Sequence, residues 1–541
     1  MNFKANETSQ KLSGSYYTPE WIAEFVARWI FKYDVHTVLE PSCGDGVFFS
    51  ALEKQVTLNR ISMLGFDTDS EAIKKCKEKA FQKPINAEFF HADYLEWAIN
   101  NLKSESPASF DAVVGNPPFI RYQYLEKIQQ ERAQQLFDLL GLKFTKHTNA
   151  WIPFLVTSIK FLNPGGVIGM VVPSEIIHVL YAQGARDFLL NNCSDILLLD
   201  PEDLWFEGTL QGTMLLMAKR KSAVEDSRVS ILRTKGKDFA KNNPKVLFDN
   251  ADYLSGKVLF RKWTDALLSK EEYDALARVS ASKNIVTFSN LASVDVGIVT
   301  GANKFFLVPD STVQDYGLEN VSHPMFGRSE HCPGVIYDVN QHRANAEHGY
   351  STNFLYFENE DDGRRYEDYL STGLEQDIHT RYKCRIRKPW FKVPSVYATP
   401  VSMLKRSNGI PRLISNRMGA YTTDTAYRII PNNTINSERL VYCFINTVTA
   451  LSAELEGRFY GGGVLELVPS EIGRLLVPYI PDITINLEVL DHLIRAGDMQ
   501  TVLDAQDSTL FSKCADVKMK DIRLLRNALD RLRLRRQRIS E

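Results

Sequence analysis

Between residues 35 and 220 the chain alternates short, β-rich apolar runs with amphipathic stretches, and no other feature narrows its possible folds as much. The apolar runs fall at 36–40, 61–67, 110–115, 166–173, 196–200 and 213–218. Strands separated by helix-length segments are the pattern of βαβ units, so the expected class is α/β with a doubly wound parallel sheet. Thr18 and Pro19 supply a helix start ahead of the first strand, and Ile22, Phe25, Val26, Trp29 and Ile30 recur along one helical face.

With 541 residues, 44% hydrophobic and 24% charged, the chain is long enough for two to four domains with buried cores. Its longest apolar runs, such as 167–172, fall far short of the roughly 20 residues of a bilayer span, and the N-terminus has no charged-then-apolar signal pattern. A cytoplasmic protein with no membrane partner is expected. Seven scattered cysteines without a Cys-x-x-Cys pair predict neither a disulfide framework nor a metal site.

The formal charge of −2 conceals segregation. Residues 381–428 hold eleven Lys and Arg against one acid, Asp424, whereas 358–377 is strongly acidic, and six arginines fall between Arg526 and Arg538. Beyond Lys221 the alternation loosens into a polar connection, one helix predicted over 263–279, and turn-rich segments to about Pro481. The expected division is 1–245, an α/β domain; 246–481, a linker and a mixed α+β domain; and 482–541, a helical segment rich in Arg and Leu.

Residues 38–49 read as a buried strand, a small-residue turn at Gly44 and Gly46, and a helix start. This Gly-x-Gly lacks the third glycine of a dinucleotide fingerprint, and alone it suits an ordinary turn equally well. Asp67, at the end of the next strand, stands at about the 20-residue interval at which an acid meets ribose hydroxyls. Asp93 and Tyr94 follow the third strand, where a carboxylate and a ring could hold an adenine; a helix cap at Asp93 is the structural alternative. Glu40, Asp67 and Asp93 thus fall at the carboxyl ends of consecutive predicted strands, the side on which open α/β sheets bind ligands.

After the fourth strand comes Asn116, Pro117, Pro118 and Phe119, the most informative segment of the chain. Two consecutive prolines fix an extended, rigid backbone with no N–H to donate. The Asn116 amide oxygen and the Pro117 carbonyl then become paired acceptors, able to grip both hydrogens of an amine and aim its nitrogen lone pair at a sulfonium methyl. Phe119 offers a flat face on which a base can stack. A purely structural Pro-Pro turn is the alternative.

With these motifs, residues 15–220 resemble the gamma class of amino-methyltransferases, the N6-adenine DNA methylases typified by the TaqI enzyme and the Eco57I-type restriction–modification methylases. The resemblance implies a Rossmann-like domain that binds S-adenosyl-L-methionine and a C-terminal α+β domain that recognises the DNA target. It places Thr18 at the methionine part of the cofactor, and Glu40, Pro41, Ser42, Cys43 and Gly44 in the family's first motif. Asp67 would meet the ribose, and Asp93, Tyr94 and Pro118 the adenine. The family's Asn-Pro-Pro-Tyr is here Asn-Pro-Pro-Phe, which loses a hydroxyl but keeps the stacking face. The family's second aromatic against a flipped base falls in Leu204, Trp205 and Phe206, where Phe206 is favoured over Trp205 and core packing is the alternative for both.

Such chemistry needs a duplex adenine extruded from the stack, at a cost of a few kcal/mol that contacts elsewhere must offset. Segment 381–428 interleaves its cations with Trp390, Phe391, Tyr397, Tyr421 and Tyr427, a mix suited to phosphate and sugar contact; a solvated basic face is the alternative. Segments 296–305, 422–425 and 461–469 resemble parts of recognition domains in this class. The expected function is site-specific methyl transfer to N6 of a flipped-out adenine in double-stranded DNA. The protein would be the modification component of a bacterial or archaeal restriction–modification system, with the cognate endonuclease encoded separately. A start almost at the cofactor helix leaves no room for an N-terminal nuclease, so a stand-alone, monomeric methylase is expected. The alternatives are an RNA adenine or protein glutamine methyltransferase, or a DNA-binding specificity protein without catalysis. N4-cytosine methylation is disfavoured because Ser usually stands where Asn116 does.

Overall fold

A computed structural model describes residues 18–56, 61–83, 85–145, 148–202, 205, 212–259, 261–460 and 463–537. The described chain forms two compact units that divide between Lys270 and Glu271.

In the first unit, strands β1 (Thr37–Glu40), β2 (Ser62–Asp67), β3 (Asn86–His91), β4 (Phe110–Gly115), β5 (Leu162–Pro173), β6 (Cys193–Pro201), β7 (Thr213–Arg220), β8 (Arg228–Thr234) and β9 (Leu254–Ser255) make one sheet, in the order β3-β2-β1-β4-β5-β7-β6-β8-β9. β1 to β5 are parallel, and β7 runs antiparallel between β5 and β6. The chain winds outward from β1 through β2 and β3, then returns to the other side of β1 for β4. Strand order therefore reverses between β1 and β4, the place where a doubly wound sheet opens a crevice at its carboxyl edge.

Helix α1 (Glu20–Ile30) precedes the sheet and buries the predicted face of Ile22, Phe25, Val26, Trp29 and Ile30. It joins Val38, Val114, Val167, Val171 and Leu215 in one core. The close approach depends on Gly169, where a Cβ would lie 2.5 Å from Val26 Cγ1. Helices α2 (Val47–Glu53), α3 (Ser70–Ala80), α4 (Tyr94–Lys103), α5 (Lys127–Leu139) and α6 (Trp151–Lys160) complete the part of the unit that surrounds the crevice.

The structure departs from the expected boundaries in four places, the last of them in the second unit. β5 starts at Leu162 rather than 166, because a register shift opposite Phe110 and Ala112 absorbs the intervening turn residues. β8 and β9 extend the sheet past 245, with Leu254 paired to Val229, so the first unit ends at 270. The helix predicted over 263–279 is a 3-10 turn at Thr264–Leu267 followed by a helix at Lys270–Ser280.

The second unit holds a mixed five-stranded sheet with the spatial order Ala292–Val296, Ala426–Pro431, Val401–Leu404, Leu413–Asn416, Ile336–Tyr337, in which only the last pairing is parallel. Residues 482–537 are part of this unit and not a separate segment. Helix Met519–Gln537 buries Leu525, Leu529 and Leu532, and Asp507 accepts hydrogen bonds from the Thr447 amide (2.9 Å) and hydroxyl (2.6 Å). All seven cysteines are free, buried thiols. No helix among the described residues is long and apolar enough to cross a membrane.

Candidate active site

A cavity of about 430 Å³ opens over the carboxyl ends of β1 to β4, a volume in the range of small-molecule sites. Its walls include Thr18, Glu40, Pro41, Ser42, Cys43, Gly44, Asp67, Asp93, Tyr94 and Pro118, which is every residue the sequence assigned to a cofactor, and also Asn116.

The first turn is shaped by glycine. Gly44 and Gly46 adopt φ of +50° and +80°, and a Cβ on Gly46 would sit 3.0 Å from Cys76 Sγ. The Gly44 amide donates to Asp67 Oδ2 at 2.8 Å and the Asp69 amide donates to Asp67 Oδ1 at 2.9 Å. This fixes the Asp67 carboxylate while leaving acceptor capacity on both oxygens. Glu40 is fully buried, and neither carboxylate oxygen meets a donor among the described residues. Burial pushes its carboxyl well above the ordinary range, and the neighbouring Cys76, Asp67 and Asp45 push the same way against the weaker opposing pull of Lys79.

Asp93 serves as both a cap and a cavity acid. Its Oδ1 accepts from the Leu95 amide at 2.8 Å, capping α4, and its Oδ2 accepts from Arg132 Nη1 at 2.6 Å. Arg132, on α5, was not anticipated, since no local motif announces an ion pair between two distant helices. Tyr94 is buried, its hydroxyl 3.1 Å from Thr157 Oγ1 and its ring 5.2 Å from that of Phe154; burial pushes its phenol up to about 12. Phe154, Pro153, Ile120 and Leu125 add an apolar wall that the motifs did not reveal.

The Asn116 loop is pinned to the first turn, for Ser42 Oγ donates to the Asn116 carbonyl at 3.0 Å. Gly115 leaves room for Pro41, whose Cδ would lie 3.4 Å from a Cβ there. Pro117 is buried, and half-buried Phe119 packs against the core that holds α1; neither borders the cavity. Trp205 stands in an aromatic cluster with Trp21 (5.4 Å) and Phe239 (5.9 Å), which is the core alternative for that residue. Phe206 and Leu204 lie outside the described residues.

In the second unit the basic segment 381–428 divides by role. Arg387 donates to the carbonyls of Val299 (2.6 Å) and Thr300 (2.7 Å), and Arg428 to those of Val296 and Ser395 (both 2.7 Å) while lying 3.6 Å over the Tyr397 ring. Arg412 donates to the Pro333 carbonyl, Arg417 pairs with Glu438 and Glu488, and Lys405 and Arg406 share Glu466. Arg381, Lys383, Arg385, Lys388 and Lys392 remain exposed, with no side-chain hydrogen bond or ion pair among the described residues. Three of the aromatic residues expected beside these cations serve the interior instead: Phe391 is buried, Trp390 packs on Phe305 (5.5 Å), and the Tyr427 hydroxyl bonds the Leu467 carbonyl at 2.8 Å, whereas Tyr397 is exposed beneath Arg428.

Residues 2–295 match the family model described as N-6 DNA Methylase. The chain belongs to the N-6 DNA methylase family. Residues 260–511 of this methylase match a second model, the C-terminal domain of Type II methyltransferase M.Eco57I. Type II methyltransferase M.AccI of Acinetobacter calcoaceticus is 24% identical over 477 residues, spanning 86% of this chain and 85% of that protein. Type II methyltransferase M.BanIII of Aneurinibacillus aneurinilyticus is 25% identical over 348 residues, 55% of this chain and 58% of that one. The solved structure of the type IIG restriction endonuclease BpuSI aligns with 96% of this chain and 66% of its own, at 13% identity and a TM-score of 0.44. The methylase is thus an S-adenosylmethionine-dependent DNA methyltransferase of the Eco57I restriction–modification type, and the RNA, protein and inactive alternatives are not favoured.

Proposed function

We propose that this methyltransferase modifies N6 of an adenine flipped out of duplex DNA, acting as a monomer beside a separately encoded endonuclease. The observation that supports this most is the position of Asn116, which follows β4 at the reversal of strand order and borders the same cavity as Glu40, Asp67 and Asp93. In this reading the Asn116 amide oxygen and the Pro117 carbonyl accept the two hydrogens of the target amine. Phe119 and Phe206 stack the base, and Asn rather than Ser ahead of the prolines favours adenine over cytosine.

S-adenosylmethionine supplies, when bound, an already activated methyl group, so most of what the protein must contribute is positioning. The cavity's chemistry suits that cofactor. Glu40, buried without a donor, matches the cationic methionine end together with Thr18. Asp67, held by two backbone amides with acceptor capacity to spare, suits ribose hydroxyls. Asp93, Tyr94 and Pro118 would border the adenine, with Pro41, Ser42, Cys43 and Gly44 forming the turn beneath. Residues 271–537 would carry target recognition, with the exposed cations of 381–392 on DNA phosphates.

Purified protein given labelled S-adenosylmethionine and duplex DNA should yield N6-methyl-2′-deoxyadenosine on nucleoside digestion; N4-methyl-2′-deoxycytidine would overturn the base assignment. Asn116→Ala should bind S-adenosylhomocysteine as the wild type does, while kcat falls about 100-fold or more through lost positioning. Near-normal turnover in that variant would remove Asn116 from the chemistry.

A further inference from the structure

We propose that Arg132 is a positioning residue that holds Asp93 as an obligate hydrogen-bond acceptor and so selects a purine with an amino group at position 6. The inference rests on the reading of Asp93 as the acid that meets the cofactor's adenine.

Asp93 borders the cavity, and its two oxygens already take the Leu95 amide (2.8 Å) and Arg132 Nη1 (2.6 Å). A carboxylate offers about four lone-pair sites, so a further donor can still be accepted. With Oδ1 accepting from an amide and Oδ2 from a guanidinium, the carboxylate offers a further group only lone pairs, in directions that these two donors fix. A purine amino group is therefore welcome, whereas a carbonyl at the same position would bring two acceptors together. Without the guanidinium, Oδ2 would lose the donor that fixes its direction, and the acceptor would no longer be aimed at one place in the cavity.

The placement of Arg132 serves this role. Its second arm, Nη2, meets Glu96 at 2.5 Å, so the planar fork spans the carboxylate that caps α4 and one in its first turn, and is fixed at both ends. Gln129 and Ala133, on either side of it in α5, line the cavity. The next residue but one, Gln130, donates to the carbonyls of Tyr122 (2.9 Å) and Leu125 (3.0 Å), which tie α5 to the turn that follows the Asn116 loop. Arg132 thus sits on a helix anchored beside the reacting loop and reaches back to the acid after β3.

The test compares two ligands by calorimetry on the full chain, S-adenosylhomocysteine and S-inosylhomocysteine. Arg132→Ala should raise the Kd for S-adenosylhomocysteine about tenfold or more and shrink the adenosyl preference in proportion, while kcat at saturating S-adenosylmethionine stays within about twofold. Arg132→Lys, which keeps the charge but loses the fork, should recover part of the preference. An unchanged preference in Arg132→Ala would overturn the proposal, and so would equal weakening of both ligands, which is what a mere brace between helices would give. Thermal melting monitors folding, and Arg132→Gln carries the same comparison should the alanine variant fail to fold. Asp93→Asn separates the two claims. If it too leaves the preference untouched, the reading of Asp93 fails; if Asp93→Asn abolishes the preference and Arg132→Ala does not, the assignment of Arg132 alone fails.

Discussion

Arg526, Arg531 and Arg536 point into the second unit, and each meets a buried acid, Asp507, Glu272 and Glu454 respectively. Arg381, Lys383, Arg385, Lys388 and Lys392, in a stretch of the same unit that is just as basic, meet none among the described residues. The helix Met519–Gln537 threads its arginines between Leu525, Leu529 and Leu532, so packing the leucines carries the cations inside, where they persist only if paired. Segment 381–392 has a four-residue helix, Tyr382–Arg385, and Pro389 soon after it, and it leaves Tyr382 65% and Ile386 60% exposed. Equal charge density in the sequence thus yields an internal scaffold in one place and an uncommitted cationic surface in the other. Only the second is available to a polyanion.

Breaking the scaffold should have the larger effect. Arg536 is 1% exposed and Glu454 4%, and the guanidinium also donates to the Gly463 carbonyl. Arg536→Ala strands a buried carboxylate and should lower unfolding free energy by about 3–5 kcal/mol, read from the denaturant midpoint at unchanged m-value. A loss below about 1 kcal/mol would mean the pair is not buried in solution and the contrast is false.

The converse variant, with Arg381, Arg385 and Lys388 all replaced by Ala, should melt as the wild type does, since none of these side chains has a protein partner among the described residues. If each contacts a phosphate, the slope of log binding constant against log salt should flatten by about 0.9 per residue removed. Loss of DNA affinity with an unchanged salt slope would sink the phosphate assignment, and no loss at all would leave a solvated face.

These fates were not legible in the sequence, because whether a cation is paired is decided by residues far along the chain. Arg387 and Arg428 looked like DNA ligands and instead hold the 296–300 loop through its carbonyls. Arg132 escaped notice for the same reason, and so did Phe154, which reaches the cavity from α6. The candidate cleft was legible because its motif residues, Thr18 before the first helix apart, sit at a strand end or directly after it, so local order nearly determines position. Asp93 shows that two readings of one residue need not compete, for it caps α4 with one oxygen and reaches Arg132 beside the cavity with the other. The unit boundary was misplaced because β8 and β9 are short additions to a sheet whose strong alternation had already ended.

Arg406 lies between the two classes and should give the smallest effect. It pairs with Glu466 at 2.7 Å, yet its own side chain is 66% exposed, and Lys405 stands 3.5 Å from the same acid. Solvent screens such a pair and Lys405 remains to satisfy Glu466, so Arg406→Ala should cost less than about 1 kcal/mol. Its salt slope for DNA should match the wild type, because the cation is already committed to an internal acid. A slope flattened by about one would show that Arg406 gives up Glu466 for a phosphate, and the DNA-facing segment would then extend beyond residue 392.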